Sequence, residues 1–183
     1  MILYPTETVY ALGVDALDRD ALAQLRALKG RDAAKTASWL VGSIAEIERY
    51  AMLEGVAARI AERFLPGPLT LVLPVRSSIP SACTAPDGTV GFRVSSDSVA
   101  SALSRQCAHP LTCTSANLSG MPTLATVPEI LAQFGECASV ISRVIDDGPR
   151  SGTPSTVVRV LDDEVEIIRE GAASFREIRA ILV

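Results

Sequence analysis

Short apolar runs with strand character alternate along this chain with segments whose apolar residues recur at helical spacing, and no segment repeats another. That alternation restricts the fold to the α/β or α+β class. Met1–Tyr4 predicts a very short first strand. Asp18–Leu28 carries Leu22, Leu25 and Leu28 at helical spacing, and Ser38–Val41 returns to strand character. Ser43-Ile-Ala-Glu46 has the spacing of a capping box, in which a hydroxyl and a carboxylate each take an orphan backbone N–H. Helices run from there to about Phe64, where Pro66-Gly-Pro68 stops them. Leu69–Val75 reads as a strand. After the turn at Pro86-Asp-Gly88 comes a strand over Thr89–Val94, then a helix from Asp97 to about Gln106, then a strand over Leu111–Thr114. Thr126-Val-Pro-Glu129 repeats the cap spacing and opens a helix toward Phe134. Val140–Ile145, Thr156–Leu161 and Val165–Arg169 read as closing strands, and Ser174-Phe-Arg-Glu177 starts a last helix.

Composition narrows the function. At 183 residues, 48% hydrophobic and 21% charged, the chain can bury a full core and is expected to form a single domain over 1–183. A net charge of −4, with one Trp, three Tyr and four Phe, supplies neither the basic footprint nor the stacking platform of a nucleic-acid binder. Any direct binding to RNA is therefore expected to be weak and local. The opening Met-Ile-Leu-Tyr-Pro has no basic leader and no apolar stretch approaches a membrane span, so a cytoplasmic protein is expected. Cys83, Cys107, Cys113 and Cys137 form no CxxC pair, which signals neither a zinc knuckle nor a disulfide framework. His109 is the only histidine, so a Ser-His-Asp or Cys-His arrangement is poorly supported and a histidine-rich metal site is excluded; no residue is assigned as a metal ligand. No Walker-type phosphate loop is present either.

Cations are distributed unevenly. Fifteen arginines serve almost the whole chain, whereas both lysines fall in Lys29-Gly-Arg-Asp-Ala-Ala-Lys35, around Arg31. A compact ammonium suits phosphate, so this stretch is either an anion site or a helix end whose dipole favours cations. Several polar clusters follow strands, where open α/β sheets place ligands. Tyr4-Pro-Thr-Glu-Thr8 is either a site or a turn whose threonines bond to their own backbone. Ser115-Ala-Asn-Leu-Ser-Gly120 can wrap phosphate or ribose oxygens, or form an Asx or Ser turn. Arg93 interrupts an apolar run and points either to solvent or into a site. Asp146–Thr156 is either a flap or a crossing, and its paired aspartates suit a solvated turn better than a metal. Together these clusters suit chemistry carried by positioning and charge neutralisation at phosphate.

Tyr4-Pro-Thr-Glu-Thr-Val-Tyr10, Lys29-Gly-Arg31, Pro66-Gly-Pro-Leu-Thr70, Gly91-Phe-Arg-Val94, Thr114-Ser-Ala-Asn-Leu-Ser-Gly120 and Ser155-Thr-Val157 occur in the order found in YrdC-like threonylcarbamoyl-AMP synthases. The chain resembles that family over nearly its whole length. The resemblance implies a twisted mixed sheet flanked by helices and hollowed by a deep central cleft. It implies that L-threonine, bicarbonate and ATP are converted to threonylcarbamoyl-AMP and pyrophosphate, with Mg2+ accompanying ATP. The product would pass to the tRNA threonylcarbamoyl transferase machinery. By the same resemblance, Thr8, Arg93, Cys113 and Ser155 belong to a threonine pocket. Arg31, Lys35, Thr89, Ser115, Asn117, Thr123 and Arg169 would bind the nucleotide, with Lys29 and Arg31 as the catalytic cations. The chain is similar to the short, single-domain type, and lacks the helix that usually precedes Tyr-Pro-Thr-Glu-Thr. Thr36-Ala37 replaces a frequent Pro-Leu, and Leu40 stands where some members have histidine. Two alternatives remain: a non-enzymatic RNA- or ribosome-binding module, and a carbamoyl-adenylate enzyme with another acceptor.

Overall fold

The computed structural model describes residues 1–30 and 36–181. In chain order the elements are β1 (Ile2–Tyr4), β2 (Ala11–Gly13), α1 (Arg19–Lys29), β3 (Ser38–Leu40), α2 (Ile44–Tyr50), α3 (Gly55–Phe64), β4 (Leu69–Pro74) and β5 (Thr89–Arg93). There follow α4 (Ser98–Gln106), β6 (Leu111–Ser115), α5 (Val127–Phe134), β7 (Arg143–Val144), β8 (Thr156–Leu161), β9 (Glu164–Arg169) and α6 (Phe175–Arg179). The strands form one mixed sheet in the order β7-β1-β2-β6-β3-β5-β4-β8-β9. Pairs β1/β7, β3/β5 and β4/β8 are parallel and the others antiparallel. This is the mixed, helix-flanked sheet that the family resemblance implied, within the class that the alternating pattern allowed.

Period-two alternation gives the central strands two unlike faces. Leu69, Leu71 and Leu73 of β4, Val90 and Phe92 of β5, Trp39 of β3 and Val158 of β8 belong to the main core. Leu22, Leu25 and Leu28 of α1, Ile47 of α2 and Ile60 of α3 cover them. Trp39 anchors this layer, edge-on to Tyr50 at 5.6 Å and to Phe92 at 5.7 Å between ring centroids. The other face carries Thr70, Val72, Thr89, Gly91 and Arg93. Only part of it is roofed, where Ala100 of α4 packs on Tyr4, Ala11, Leu40, Leu111 and Cys113. The unroofed remainder is a cleft.

Caps set the helix starts. Asp18 accepts the N–H groups of Asp20 and Ala21 to open α1, and Gly30 closes it with a left-handed φ of 58°. Ser43 accepts the Glu46 N–H at 3.2 Å, but the Glu46 carboxylate takes the N–H of Gly42, one residue before the reciprocal position. Thr126 and Glu129 form a full capping box on α5. For α3, the acceptor comes from the β8–β9 hairpin tip: Asp163 Oδ1 receives the Val56 N–H at 3.0 Å.

Two expectations differ from the structure. The three residues of β2 were not predicted; the strand exists because β1 and β6 pair with it on both sides. Conversely, Val140–Ile145 yields strand only at Arg143–Val144, because the three-residue β1 is its partner and a 3-10 turn takes up Gly135–Val140. Among the described residues no helix is long and apolar enough to cross a membrane.

Candidate active site

The cleft has a volume of about 640 Å³ and draws its lining from segments scattered between Thr8 and Arg169. Thr89, Gly91 and Arg93 share its floor because they alternate with Val90 and Phe92, which face the core. Gly91 keeps the floor low: a Cβ there would stand 2.8 Å from Thr70 Cγ2 and 2.9 Å from Ser38 Oγ.

One end of the cleft centres on Arg93, which is 5% exposed. Its Nη2 donates to Glu7 Oε1 at 2.6 Å and to Thr8 Oγ1 at 3.3 Å, and Nη1 lies 3.6 Å from Cys113 Sγ. The other Glu7 oxygen accepts the hydroxyl of Ser95. Burial alone would raise the Glu7 pKa, but the charge of Arg93 and the Ser95 hydroxyl outweigh it and hold the carboxyl below its ordinary range. Burial likewise disfavours the charged guanidinium, yet Cys113 and Glu7 outweigh it and raise the Arg93 pKa. Arg93 is thus a fixed cation, and its Nε has no partner among the described residues. Ser155 completes this end: its hydroxyl lies 3.0 Å from Thr70 Oγ1, and Arg169 Nη2 donates to its carbonyl at 2.7 Å. Burial and the like charge of Arg93 push the Arg169 pKa down.

The second polar cluster joins α1 to the turn after β6. Lys29 is only 4% exposed, and its ammonium donates to Ser115 O and to Asn117 O, the latter at 2.8 Å. Asn117 Oδ1 accepts the Ser115 hydroxyl at 2.5 Å, and its amide donates to Met121 O at 2.6 Å. The Ser119 N–H closes on Lys29 O at 2.8 Å. Lysine and turn therefore form one rigid cationic corner. Both readings of Lys29 are realised in part, since it ends α1 and also lines the cleft.

The Tyr4–Thr8 segment forms the local turn that its composition allowed. Thr6 Oγ1 donates to Val9 O at 2.6 Å and accepts the N–H groups of Thr8 and Val9. The segment Asp146–Thr156 is a pinned crossing. Tyr10 donates its hydroxyl to Gly148 O at 2.8 Å, and the Gly152 N–H donates to Thr8 O at 3.0 Å. A Cβ at Gly152 would stand 2.6 Å from Thr8 O, so this close approach requires glycine. Asp146 accepts the Gly148 N–H at 3.1 Å, and Asp147 is 2.5 Å from Arg150, so these aspartates are held by their own loop.

Thr8, Lys29, Thr89, Arg93, Cys113, Ser115, Asn117, Thr123, Ser155 and Arg169 all line this one cleft. Arg31 and Lys35 lie outside the described residues. Sequence reasoning did not single out Glu7 as the partner of Arg93, nor Arg159, which also lines the cleft. The carboxylate of Glu7 was visible in its motif, but nothing local indicated its partner. Among the described residues no group of three His, Cys, Asp or Glu side chains could hold a metal ion, and the cleft lining contains no carboxylate. The described lining fits a divalent cation carried in on phosphate oxygens, with hydroxyls and water as its other ligands.

The family model described as Telomere recombination, that of the Sua5, YciO and YrdC proteins, matches residues 1–171. A putative threonylcarbamoyl-AMP synthase of Methanocaldococcus jannaschii is 34% identical over 179 residues, covering 97% of this chain and 83% of that protein. The threonylcarbamoyl-AMP synthase of Pyrococcus abyssi is 33% identical over 184 residues, covering 100% of this chain and 53% of that protein. The crystal structure of P. abyssi Sua5 complexed with L-threonine superposes with a TM-score of 0.88 at 32% identity, over 98% of this chain and 53% of that one. E. coli YciO gives a TM-score of 0.86 at 26% identity, over 97% of this chain and 85% of that one. The chain thus spans most of the M. jannaschii protein but about half of the P. abyssi one. By the extent of the model match and by relatives above 30% identity, the chain belongs to the Sua5/YciO/YrdC family.

Proposed function

We propose that the cleft is the active site of an L-threonylcarbamoyladenylate synthase, housed in a single domain over 1–183. It converts L-threonine, bicarbonate and ATP to threonylcarbamoyl-AMP and pyrophosphate, for the threonylcarbamoyladenosine modification of tRNA. The observation that carries this reading is the pairing, in one cleft, of a buried arginine suited to a carboxylate with a cationic, amide-rich corner suited to phosphate. The M. jannaschii and P. abyssi proteins bear the synthase name, and the P. abyssi structure holds L-threonine, which supports the same substrate here.

Arg93 takes the threonine carboxylate, with Thr8, Cys113 and Ser155 around the rest of the amino acid. The amine adds carbon dioxide derived from bicarbonate and loses a proton, giving a carbamate. A carbamate oxygen then bonds to the α-phosphorus in line as the bond from that phosphorus to the α–β bridging oxygen breaks, and pyrophosphate leaves. Lys29 serves the phosphates, and Thr89, Ser115, Asn117, Thr123 and Arg169 hold the nucleotide; the family resemblance gives Arg31 the same role as Lys29 and adds Lys35 to the nucleotide set. Mg2+ bound to the triphosphate would add charge neutralisation. Charged groups already fixed in place need no reorganisation as the phosphates gain charge, and no residue is required as a dedicated general base. The product is handed to the enzyme that transfers threonylcarbamoyl to tRNA.

The test is pyrophosphate release measured with each substrate omitted in turn. The reading predicts release only when L-threonine, bicarbonate and ATP are all present. Release that ignores threonine, or that follows another amino acid instead, would assign the cleft to a different acceptor.

A further inference from the structure

Arg150 lies on the Asp146–Thr156 crossing and is not part of the cleft lining. Its backbone N–H donates to Ala125 O at 2.8 Å, and its Nη1 donates to Asp147 O at 2.7 Å. Nη2 stands between two carboxylates, 2.5 Å from Asp147 Oδ2 and 3.4 Å from Asp97 Oδ2. One guanidinium thus ties the crossing to the first turn of α4, because the other Asp97 oxygen is the cap of that helix and accepts the N–H groups of Val99 and Ala100 at 2.9 and 3.1 Å. With the side chains of Arg150 and Asp97 21% and 10% exposed, the pair escapes much of the screening that weakens a surface ion pair. Without the cation, two carboxylates share one site and the tie becomes a repulsion.

Asp97 leads from there toward Arg93. Its backbone N–H donates to Ser95 Oγ at 3.2 Å, and that hydroxyl, with a single proton to give, donates it to Glu7 Oε2. Glu7 Oε1 in turn accepts Arg93 Nη2 at 2.6 Å. An unbroken chain of directional bonds therefore runs from Arg150 through Asp97, Ser95 and Glu7 to Arg93, and only its last member lines the cleft. Resting on the threonine reading above, we propose that Arg150 is a positioning residue for the amino-acid substrate. By clamping the crossing to the start of α4, it fixes Ser95 and Glu7, and hence the orientation in which Arg93 meets a carboxylate. A bidentate contact needs the guanidinium plane set in advance, which a relay of held groups supplies and a lone flexible arginine does not. The cationic corner is held by its own bonds among Lys29, Ser115 and Asn117, so the influence of Arg150 falls on the Arg93 end of the cleft alone.

Steady-state pyrophosphate release by the full chain, with L-threonine and ATP each varied, tests this. Arg150→Met keeps the stem and removes the charge; it raises KM for L-threonine about 5-fold, with kcat and KM for ATP within about 2-fold of wild type. Arg150→Lys leaves a cation between the carboxylates and recovers most of the loss. Asp97→Asn still caps α4 but offers Arg150 no charge, and it reproduces Arg150→Met. Ser95→Ala cuts the relay in the middle. It raises KM for L-threonine by itself, and adding Arg150→Met to it changes nothing further. Circular dichroism melts fix an assay temperature at which every variant is folded. An unchanged threonine KM in Arg150→Met, or threonine and ATP KM values that rise together, overturns the proposal. Losses in Arg150→Met and Ser95→Ala that multiply overturn it as well, since the crossing would then act directly through the Gly152 bond to Thr8. Wild-type release that ignores L-threonine sinks the synthase reading and this inference with it, whereas threonine-dependent release indifferent to Arg150 sinks this inference alone.

Discussion

Arg93 and Glu7 are 86 positions apart and meet at 2.6 Å, with side chains 7% and 14% exposed. Removing one partner leaves the other charge buried, so Arg93→Ala is expected to cost about 3–5 kcal/mol, read as a fall in the urea midpoint. Glu7→Gln keeps the shape but loosens the guanidinium, and is expected to raise KM for L-threonine more than it lowers kcat. The pair also predicts an acid response. Because the folded Glu7 pKa lies below its ordinary value, its contribution is present above the usual carboxylate range and lost as pH falls through the folded value. Denaturation midpoints followed downward from neutral pH should show a loss in wild type that is reduced in Glu7→Gln; superimposable profiles would contradict the coupling. Alternation left Arg93 undecided between solvent and site. What settled it was Glu7, whose role depends on a contact that no local pattern encodes.

Helix starts were readable wherever the cap is local, as at Asp18, Ser43, Thr126 and Ser174. The cap of α3 was not, because Asp163 lies 107 positions from Val56. Asp163→Ala is expected to cost about 1 kcal/mol in thermal or chemical denaturation, as for other lost N-caps. β2 and β7 mark the same limit among strands: three residues become strand when flanked by partners, and a longer apolar stretch does not when its partner is short. The joint between α1 and the Ser115–Asn117 turn gives an element-level prediction. Lys29→Met keeps the side-chain stem but strands the carbonyls of Ser115 and Asn117, costing about 1–3 kcal/mol. In Lys29→Met at a temperature where it is folded, turnover should fall at least 10-fold if the ammonium also serves the phosphates. Stability loss with full turnover would confine Lys29 to the joint.

At the scale of the molecule, the cleft is a gap that the packing leaves open. α1, α2 and α3 cover one face of the sheet, α4 roofs part of the other, and Pro154 and Ser155 at the end of the Asp146–Thr156 crossing add to the cleft wall. Six motifs in order made the family legible, and ten of the candidate residues converge on that gap. Their order could not show that Lys29 is engaged by a turn, that Thr89 donates its hydroxyl to Asp87, or that Arg159 belongs to the lining. Each of these depends on strand register and on which neighbour takes a proton. The central claim is that threonine, bicarbonate and ATP are joined in this cleft. Mass spectrometry of the reaction with carbon-13 bicarbonate tests it most directly. The account predicts a threonylcarbamoyl-AMP adduct carrying the label, formed with L-threonine and lost in Arg93→Ala; ATP binding with no adduct, or an adduct without the label, would contradict it.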